Sequence, residues 1–406
     1  MKKIFLVLLL PAIFAVTATF AQTARELYNQ GLSKYENRDY KGALQDLNRT
    51  IEMDPGYDKA WHNRGLVKYA LQDYAGAIAD HNKAIELNPS YSNAYNDRGL
   101  VWLKQKDYHS AIKDFDKAIE LDPSYASAYN NRSIAKYSTR DYEGAVSDNT
   151  KSIGISSSNA EAYSGRAMAK IGMKDYTGAI EDAGKAIELN PYLAIAYLSR
   201  GNARFELGEN DGALSDYKKV IFLQADNMNV YYNMGVLYSR RGNSTEAISA
   251  YQRYIVLEPG EWKGYKDLGD VYYKQVKNYD SSLYYYNKAW QIKKDEKEIL
   301  QNSGYSLLHL GRINEGMAMF NRQIALLPDD PWGYYNLAAA YSYNHQNNEA
   351  VAQLSIALQK KMTELGYWQD DAYLDNVRTT PGFSTLVRKY FTPTEIRKYP
   401  GIFASR

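Results

Sequence analysis

Glycine returns along this chain at a fixed step. Gly31, Gly65, Gly99, Gly201, Gly235, Gly269 and Gly304 lie 34 residues or a multiple of 34 apart, except for one step of 35 before Gly304. Alanines keep the same step at Ala43, Ala77, Ala111, Ala145, Ala179, Ala213, Ala247 and Ala350, and prolines keep it at Pro55, Pro89, Pro123, Pro191, Pro259 and Pro328. Three residue types in one register mark a repeat. Units of this length bury their apolar faces against their neighbours and not in one central core. A domain count taken from the length of 406 residues therefore does not apply. The one extra residue falls between Gly269 and Ser282, near Lys274 to Asn278.

Within a unit the apolar spacing is helical. From Asp58 the buried candidates are Trp61, Gly65, Lys68/Tyr69 and Leu71. A turn at Gln72-Asp73-Tyr74 leads to Ala77, Ile78, His81, Ala84, Ile85 and Leu87, spaced for one face of a second helix. Asn88-Pro89 ends it, because the residue before proline is pushed out of the α region. Each unit thus reads as two antiparallel helices. Glycine at the eighth position and alanine at the twentieth let them approach closely.

An aromatic-x-x-[Arg/Leu]-Gly motif, then Asp-Tyr, Ala, an aromatic or apolar residue, Ala and Pro recurs. It is nearly complete in Tyr95, Gly99, Asp107-Tyr108, Ala111, Phe115, Ala118 and Pro123. This pattern resembles the tetratricopeptide repeat (TPR) family. The resemblance implies an all-α fold, a right-handed superhelical solenoid of about ten helix hairpins. They would start near residues 24, 58, 92, 126, 160, 194, 228, 262, 297 and 331, and fill residues 22–362. Departures are local: Ser133, Ala167 and Ala338 replace the glycine, Ser157 and Ala225 the proline, and Ser282 and Gly316 the alanine. Residues 363–406 resemble a tail found behind bacterial arrays of this kind, through Asp371, Leu374, Val377-Arg378, Pro381, Phe383 and Leu386. They are expected to form one or two capping helices, with Thr392 to Arg406 irregular.

Lys2-Lys3, the apolar run Ile4 to Val16 and the small-residue segment Ala18-Thr19-Phe20-Ala21 read as a bacterial export signal over residues 1–21, cut after Ala21. The expected location is periplasmic or secreted, with no membrane span after cleavage. Loss of the leader leaves 47 basic and 47 acidic groups, a balance that argues against nucleic-acid binding. The chain has no Cys, which excludes disulfides, thiol catalysis and Cys-ligated metal. Its five histidines show no ligand spacing, and no phosphate loop, nucleophile elbow or dinucleotide fingerprint occurs. The expectation is no cofactor, no metal and no catalysis.

Tyrosine is abundant, at 39 residues. Thirteen of these recur at the fourth position (as Tyr95, Tyr129, Tyr163) or after the turn Asp or Asn (as Tyr40, Tyr74, Tyr108), where rings belong to the scaffold. Arg64, Arg98, Arg132, Arg166 and Arg200 repeat in step with Asp80, Asp114, Asp148, Asp182 and Asp216. Each arginine is placed to pair with the aspartate of its own unit or of the preceding one. Partners in the family usually sit in the concave groove lined by the first helices. Candidates there are His62, Asn96, Asn130, Tyr232 and Tyr335 at the fifth position, Asn202 and Tyr305 at the ninth, and Tyr35, Tyr69, Tyr137, Phe205 and Tyr273 at the twelfth. The Lys/Asn clamp that some members use for a carboxylate terminus is absent, since Tyr28/Leu32, His62/Leu66 and Asn96/Leu100 stand in its place. The expected function is a non-enzymatic scaffold holding protein or peptide partners. The second reading is an envelope glycan or peptidoglycan binder, with aromatic rings around Trp332 and Tyr335.

Overall fold

Aspartate starts five of the ten second helices. Asp39, Asp73, Asp107, Asp141 and Asp175 each accept a hydrogen bond from the backbone N–H three residues on, which satisfies one of the orphan donors of a helix start. The residue before each of them (Arg38, Gln72, Lys106, Arg140, Lys174) has φ between 62 and 65°. That left-handed residue ends the first helix in a Schellman turn, as in Gln72 N–H to Tyr69 C=O and Asp73 N–H to Lys68 C=O. Asn88 and Asp122, each just before a proline, are extended and end the second helix.

The computed structural model of the protein describes residues 23–404 apart from Asp295. The expected leader lies outside the described residues. The described chain divides into two units between Leu223 and Gln224.

The first unit holds six helix hairpins: α1 (23–36) with α2 (Tyr40–Met53), α3 (Asp58–Ala70) with α4 (Tyr74–Leu87), α5 (Ser92–Lys104) with α6 (Tyr108–Leu121), α7 (Ala126–Ser138) with α8 (Tyr142–Ile155), α9 (Ala160–Gly172) with α10 (Tyr176–Leu189), and α11 (Ala194–Glu206) with α12 (Asn210–Leu223). The second unit holds four: α13 (Met228–Arg240) with α14 (Ser244–Leu257), α15 (Trp262–Val271) with α16 (Tyr279–Ile292), α17 (Lys297–His309) with α18 (Ile313–Leu326), and α19 (Pro331–Tyr343) with α20 (Asn347–Gln359). The 35-residue step is absorbed by a π-helical turn, Tyr272–Val276, that extends α15 and ends on left-handed Lys277. Widening the turn takes up one residue without breaking the hairpin.

Inside each hairpin the eighth and twenty-fourth positions trade volume. Gly99 faces Phe115, Gly201 faces Tyr217 and Gly304 faces Phe320 so closely that a Cβ on the glycine would lie 2.4 to 2.9 Å from the ring. Where the eighth residue is larger the other is not aromatic: Ala167 stands in a repeat with Ala183, and Ser133 donates to Asn149 Oδ1 at 3.0 Å. The glycine therefore makes room for a ring as much as for a backbone.

Burial in α3 differs from the sequence expectation. Ala60, His62, Gly65 and Val67 are buried, whereas Trp61, Lys68 and Tyr69 are half-buried and Leu71 is exposed. The ring of Trp61 lies at the surface under Arg64, 4.6 Å away, with its indole N–H on Pro55 C=O. Each arginine of the periodic series forks onto the aspartate of its own unit, as in Arg98 to Asp114 at 2.8 and 2.6 Å and Arg132 to Asp148 at 2.8 and 2.6 Å. In Arg64, Arg98, Arg132 and Arg166 the remaining amino group reaches back to the preceding unit, at Asn48, Asn82, Asp116 and Thr150. One side chain thus ties two repeats together.

After α20 come α21 (Leu365–Asp370), a 3-10 turn (Ala372–Leu374), α22 (Asp375–Arg378), α23 (Pro381–Tyr390) and α24 (Pro393–Arg397). Trp368, Leu374, Val377, Phe383, Val387 and Ile402 join Ala339, Leu354 and Leu358 in one core, which covers the last hairpin. Arg378, 1 % exposed, donates to Asp375 and to the C=O groups of Trp368, Asp371 and Ala404. The expectation that Thr392 to Arg406 is irregular is corrected: a Thr392/Glu395 capping box starts α24, and Ile402 is buried.

Candidate protein-binding groove

In the first unit the first helices touch one another directly from hairpin to hairpin: α3 with α5, α5 with α7, α7 with α9, and α9 with α11. Second helices make no comparable contacts among the described residues, so the first helices line the inner face. Residues three apart on a helix share a face, and here the ninth and twelfth positions do so. Leu32, Leu66, Leu100, Ile134 and Met168 occupy the ninth; Tyr35, Tyr69, Leu103, Tyr137, Ile171 and Phe205 occupy the twelfth. None is fully buried, and Ile134 is 43 % exposed. Together they form a partly uncovered apolar stripe.

The twelfth-position rings are steadied from one side. Tyr35 packs on Tyr40, Tyr69 on Tyr74 and Tyr137 on Tyr142, with centroids 5.5 to 5.8 Å apart. Burial raises the pKa of Tyr35 and Tyr137, so both hydroxyls stay protonated. Phe205 continues the row, and Asn202 at the ninth position accepts from Tyr217 O–H at 2.9 Å.

Two of the three fifth-position candidates in the first unit are already engaged. His62 is buried, with Nε2 2.7 Å from Asp97 Oδ2 and Nδ1 3.2 Å from Tyr91 O–H. Asn96 is buried too, donating to Asp97 at 2.9 Å and accepting from Asn131 at 3.0 Å. Placing His62 and Asn96 on a binding surface is corrected: both bond to the sixth position of the first helices and form the groove's floor. Asn130 alone of this group in the first unit is half-buried with no hydrogen bond to its side chain among the described residues.

In the second unit Tyr232 donates to Asp267 at 2.8 Å. Tyr273 sits in the π-turn, half-buried against Tyr279 and His309. Tyr305 and Tyr335 are corrected as well. Tyr335 is wholly buried and donates to Asp371 at 2.6 Å, while Tyr305 donates to Asn336 at 2.9 Å and lies 5.2 Å from Tyr373. The segment around Asp371 and Tyr373 packs over both rings, and burial raises their pKa well above the ordinary value. One of the two rings on which the glycan reading rested is thereby sealed.

The sixth position was missed by sequence reasoning. Asn63, Asp97, Asn131, Asp267, Asn302 and Asn336 each share a hydrogen bond with the preceding repeat, Asn63, Asn131 and Asn302 as donors, and their common Asn/Asp character was the available signal. Among the described residues no group of three or more His, Cys, Asp or Glu could hold a metal ion. No described helix is long and apolar enough to cross a membrane.

Tetratricopeptide repeat models match residues 58–91 and 92–125, 160–192, 201–242 and 232–298. The chain carries tetratricopeptide repeats. Solved structures similar to this TPR chain include a tetratricopeptide repeat protein from Parabacteroides merdae, 17 % identical over 62 % of this chain and 99 % of that one, with a TM-score of 0.49. Another is YrrB, described as a TPR protein with an unusual peptide-binding site, 24 % identical over 44 % of this chain and 92 % of its own, with a TM-score of 0.36. Yeast Tom70 is 15 % identical over 91 % of this chain and 99 % of its own, with a TM-score of 0.36. No curated protein sequence matches the chain. TPR arrays serve in general as protein–protein interaction scaffolds that bind protein or peptide partners.

Proposed function

We propose that this TPR chain is a non-enzymatic scaffold whose first-unit groove holds an extended segment of a protein partner by its apolar side chains. The observation that carries this reading is the stripe of Leu66, Leu100, Ile134 and Met168, flanked by the Tyr69 and Tyr137 rings. Its polar floor is already hydrogen-bonded internally, so what the groove offers a partner is apolar area. Removing such area from water is worth about 25 cal/mol per Å². Preformed helices lose little freedom on binding, which leaves more of that gain as affinity. Location in the periplasm or outside the cell is part of the proposal and rests on residues 1–21 alone.

The double variant Leu100→Asp/Ile134→Asp tests it. Ile134 is exposed and Leu100 half-buried against the Phe115 cluster, so the variant should melt at a lower temperature but still cooperatively, and lose partner capture in a pull-down from cell envelopes at a temperature where it is folded. Undiminished capture by the folded variant would remove the stripe from the mechanism.

A further inference from the structure

A cavity of about 220 Å³ in the second unit is lined by Lys297, Gln301, Gln323, Asp330, Trp332 and Tyr367. Sites for whole small molecules run from roughly 300 to 1,000 Å³, so this one suits a single side chain. Gln323 sits at the twenty-seventh position of its repeat, where Ala84, Ala118, Ala186, Ala289 and Ala357 stand in other hairpins. Thr50, Ser152, Val220 and Tyr254 fill it in the remaining hairpins, and at Gln323 it holds a fully buried amide that needs hydrogen-bond partners of its own.

Its orientation is fixed by a chain of bonds. Tyr305 O–H donates to Asn336 Oδ1 at 2.9 Å, and Asn336 Nδ2 donates to Gln323 Oε1 at 3.1 Å. The Gln323 amide therefore turns its Nε2 donor away from Asn336, and that nitrogen has no partner. Asp330 caps α19 through Oδ1, accepting from Trp332 N–H at 3.2 Å, while its Oδ2 makes no hydrogen bond. Lys297 Nζ lies 3.6 Å from that oxygen, a long ion pair on a side chain 45 % exposed. The Trp332 and Tyr367 rings meet at 88° and form an apolar corner. Tyr367, 47 % exposed, and Lys297 are the lining groups free to swing aside and admit a ligand.

A lone buried donor and a lone buried acceptor in one small cavity call for a group that offers one of each. We propose that the cavity anchors the side-chain carboxamide of a glutamine or asparagine in a partner segment, its NH2 donating to Asp330 Oδ2 and its C=O accepting from Gln323 Nε2. The methylenes of the partner side chain lie in the Trp332–Tyr367 corner. This inference rests on the scaffold reading and adds a residue preference to it.

The test uses the full chain and N-acetyl-L-glutamine N-methylamide as probe, read by saturation-transfer NMR. The glutamate and alanine counterparts and N-acetylglucosamine serve as comparators. The glutamine probe should bind, and the other two amino-acid probes should bind at least about tenfold more weakly, the effect of one missing hydrogen bond. Asp330→Asn keeps the capping oxygen but turns the free acceptor into a donor, so it should reverse the preference toward the glutamate probe. Lys297→Ala should keep the preference for glutamine. No preference among the amino-acid probes, an unreversed preference in folded Asp330→Asn, or a stronger signal from N-acetylglucosamine would overturn the assignment. If the probe fails while Leu100→Asp/Ile134→Asp still loses its partner, the pocket falls and the scaffold reading stands. The converse pair of results would leave the pocket without the scaffold.

Discussion

His81 shows how one residue can be correctly placed in a repeat yet ill-suited to its site. It fills the twenty-fourth position, where other hairpins hold Phe115, Tyr217, Tyr251 or Phe320, and its ring lies under Gly65. It is wholly buried, neither ring nitrogen has a partner, and the His62 ring is 5.4 Å away. Burial, reinforced by His62, pushes its pKa down from 6.5 to about 4, with Asp97 and Asp80 opposing and Arg98 assisting. A base with a depressed folded-state pKa takes up its proton more readily in the unfolded chain. Its neutral form stabilises fully above pH 6.5, and that contribution is lost as the pH falls from 6.5 toward 4. The loss approaches about 3 kcal/mol. His81→Phe, with a ring that Gly99 already accommodates in the next repeat, should flatten that acid limb. Urea titrations of both proteins at pH 7 and pH 4.5 check it, and parallel acid losses would count against it. The sequence placed His81 on the buried face. The absence of a partner for it depends on which groups the neighbouring helix presents, and spacing does not reveal that.

Within the hairpin, glycine means different things in different places. A Cβ at Gly99 would sit 2.6 Å from the Phe115 ring, so Gly99→Ala should cost about 1–3 kcal/mol. Gly184, inside α10, has nothing within 4 Å of the same added atom, and Gly184→Ala should stabilise by about 0.5–1 kcal/mol through helix propensity alone. Chemical denaturation of the two variants should give shifts of opposite sign. Shifts of the same sign would contradict the packing account. Elements of this kind were largely legible: the hairpin follows from Gly, Ala and Pro in register, and its turn from Asp-Tyr. The partner of each arginine was not, because Arg64 lies 18 residues after Asp46 and 16 before Asp80. Only the helix crossing selects the second. The helix α24 could have been read from Thr392-Pro393-Thr394-Glu395, a capping box with proline at the first helical position.

On the scale of the whole molecule, the two units present different inner faces. In residues 23–223 the ninth and twelfth positions stay uncovered. In the second unit Tyr305 and Tyr335 at the corresponding ninth and fifth positions are closed off by the segment around Asp371 and Tyr373. Choosing groove residues by position alone therefore picked half-buried rings at Tyr69, Tyr137 and Phe205 and a wholly buried one at Tyr335. A periodic rule describes neighbours that repeat, and the C-terminal segment does not repeat. His62 and Asn96 failed for a related reason: their bonds run to the sixth position of adjoining units, and those offsets come from stacking and not from a single unit's pattern.

Photo-crosslinking from one side chain asks most directly whether the first-unit groove is where the partner lies. A benzophenone amino acid is placed at Ile134 on the inner helix α7 or, as the comparison, at Lys117 on the outer helix α6, and each protein is irradiated in intact cells. The groove account predicts a discrete adduct from position 134 that is lost in a Leu100→Asp background, and none of that mass from position 117. Equal adducts from both positions, or the adduct from 117 alone, would contradict it.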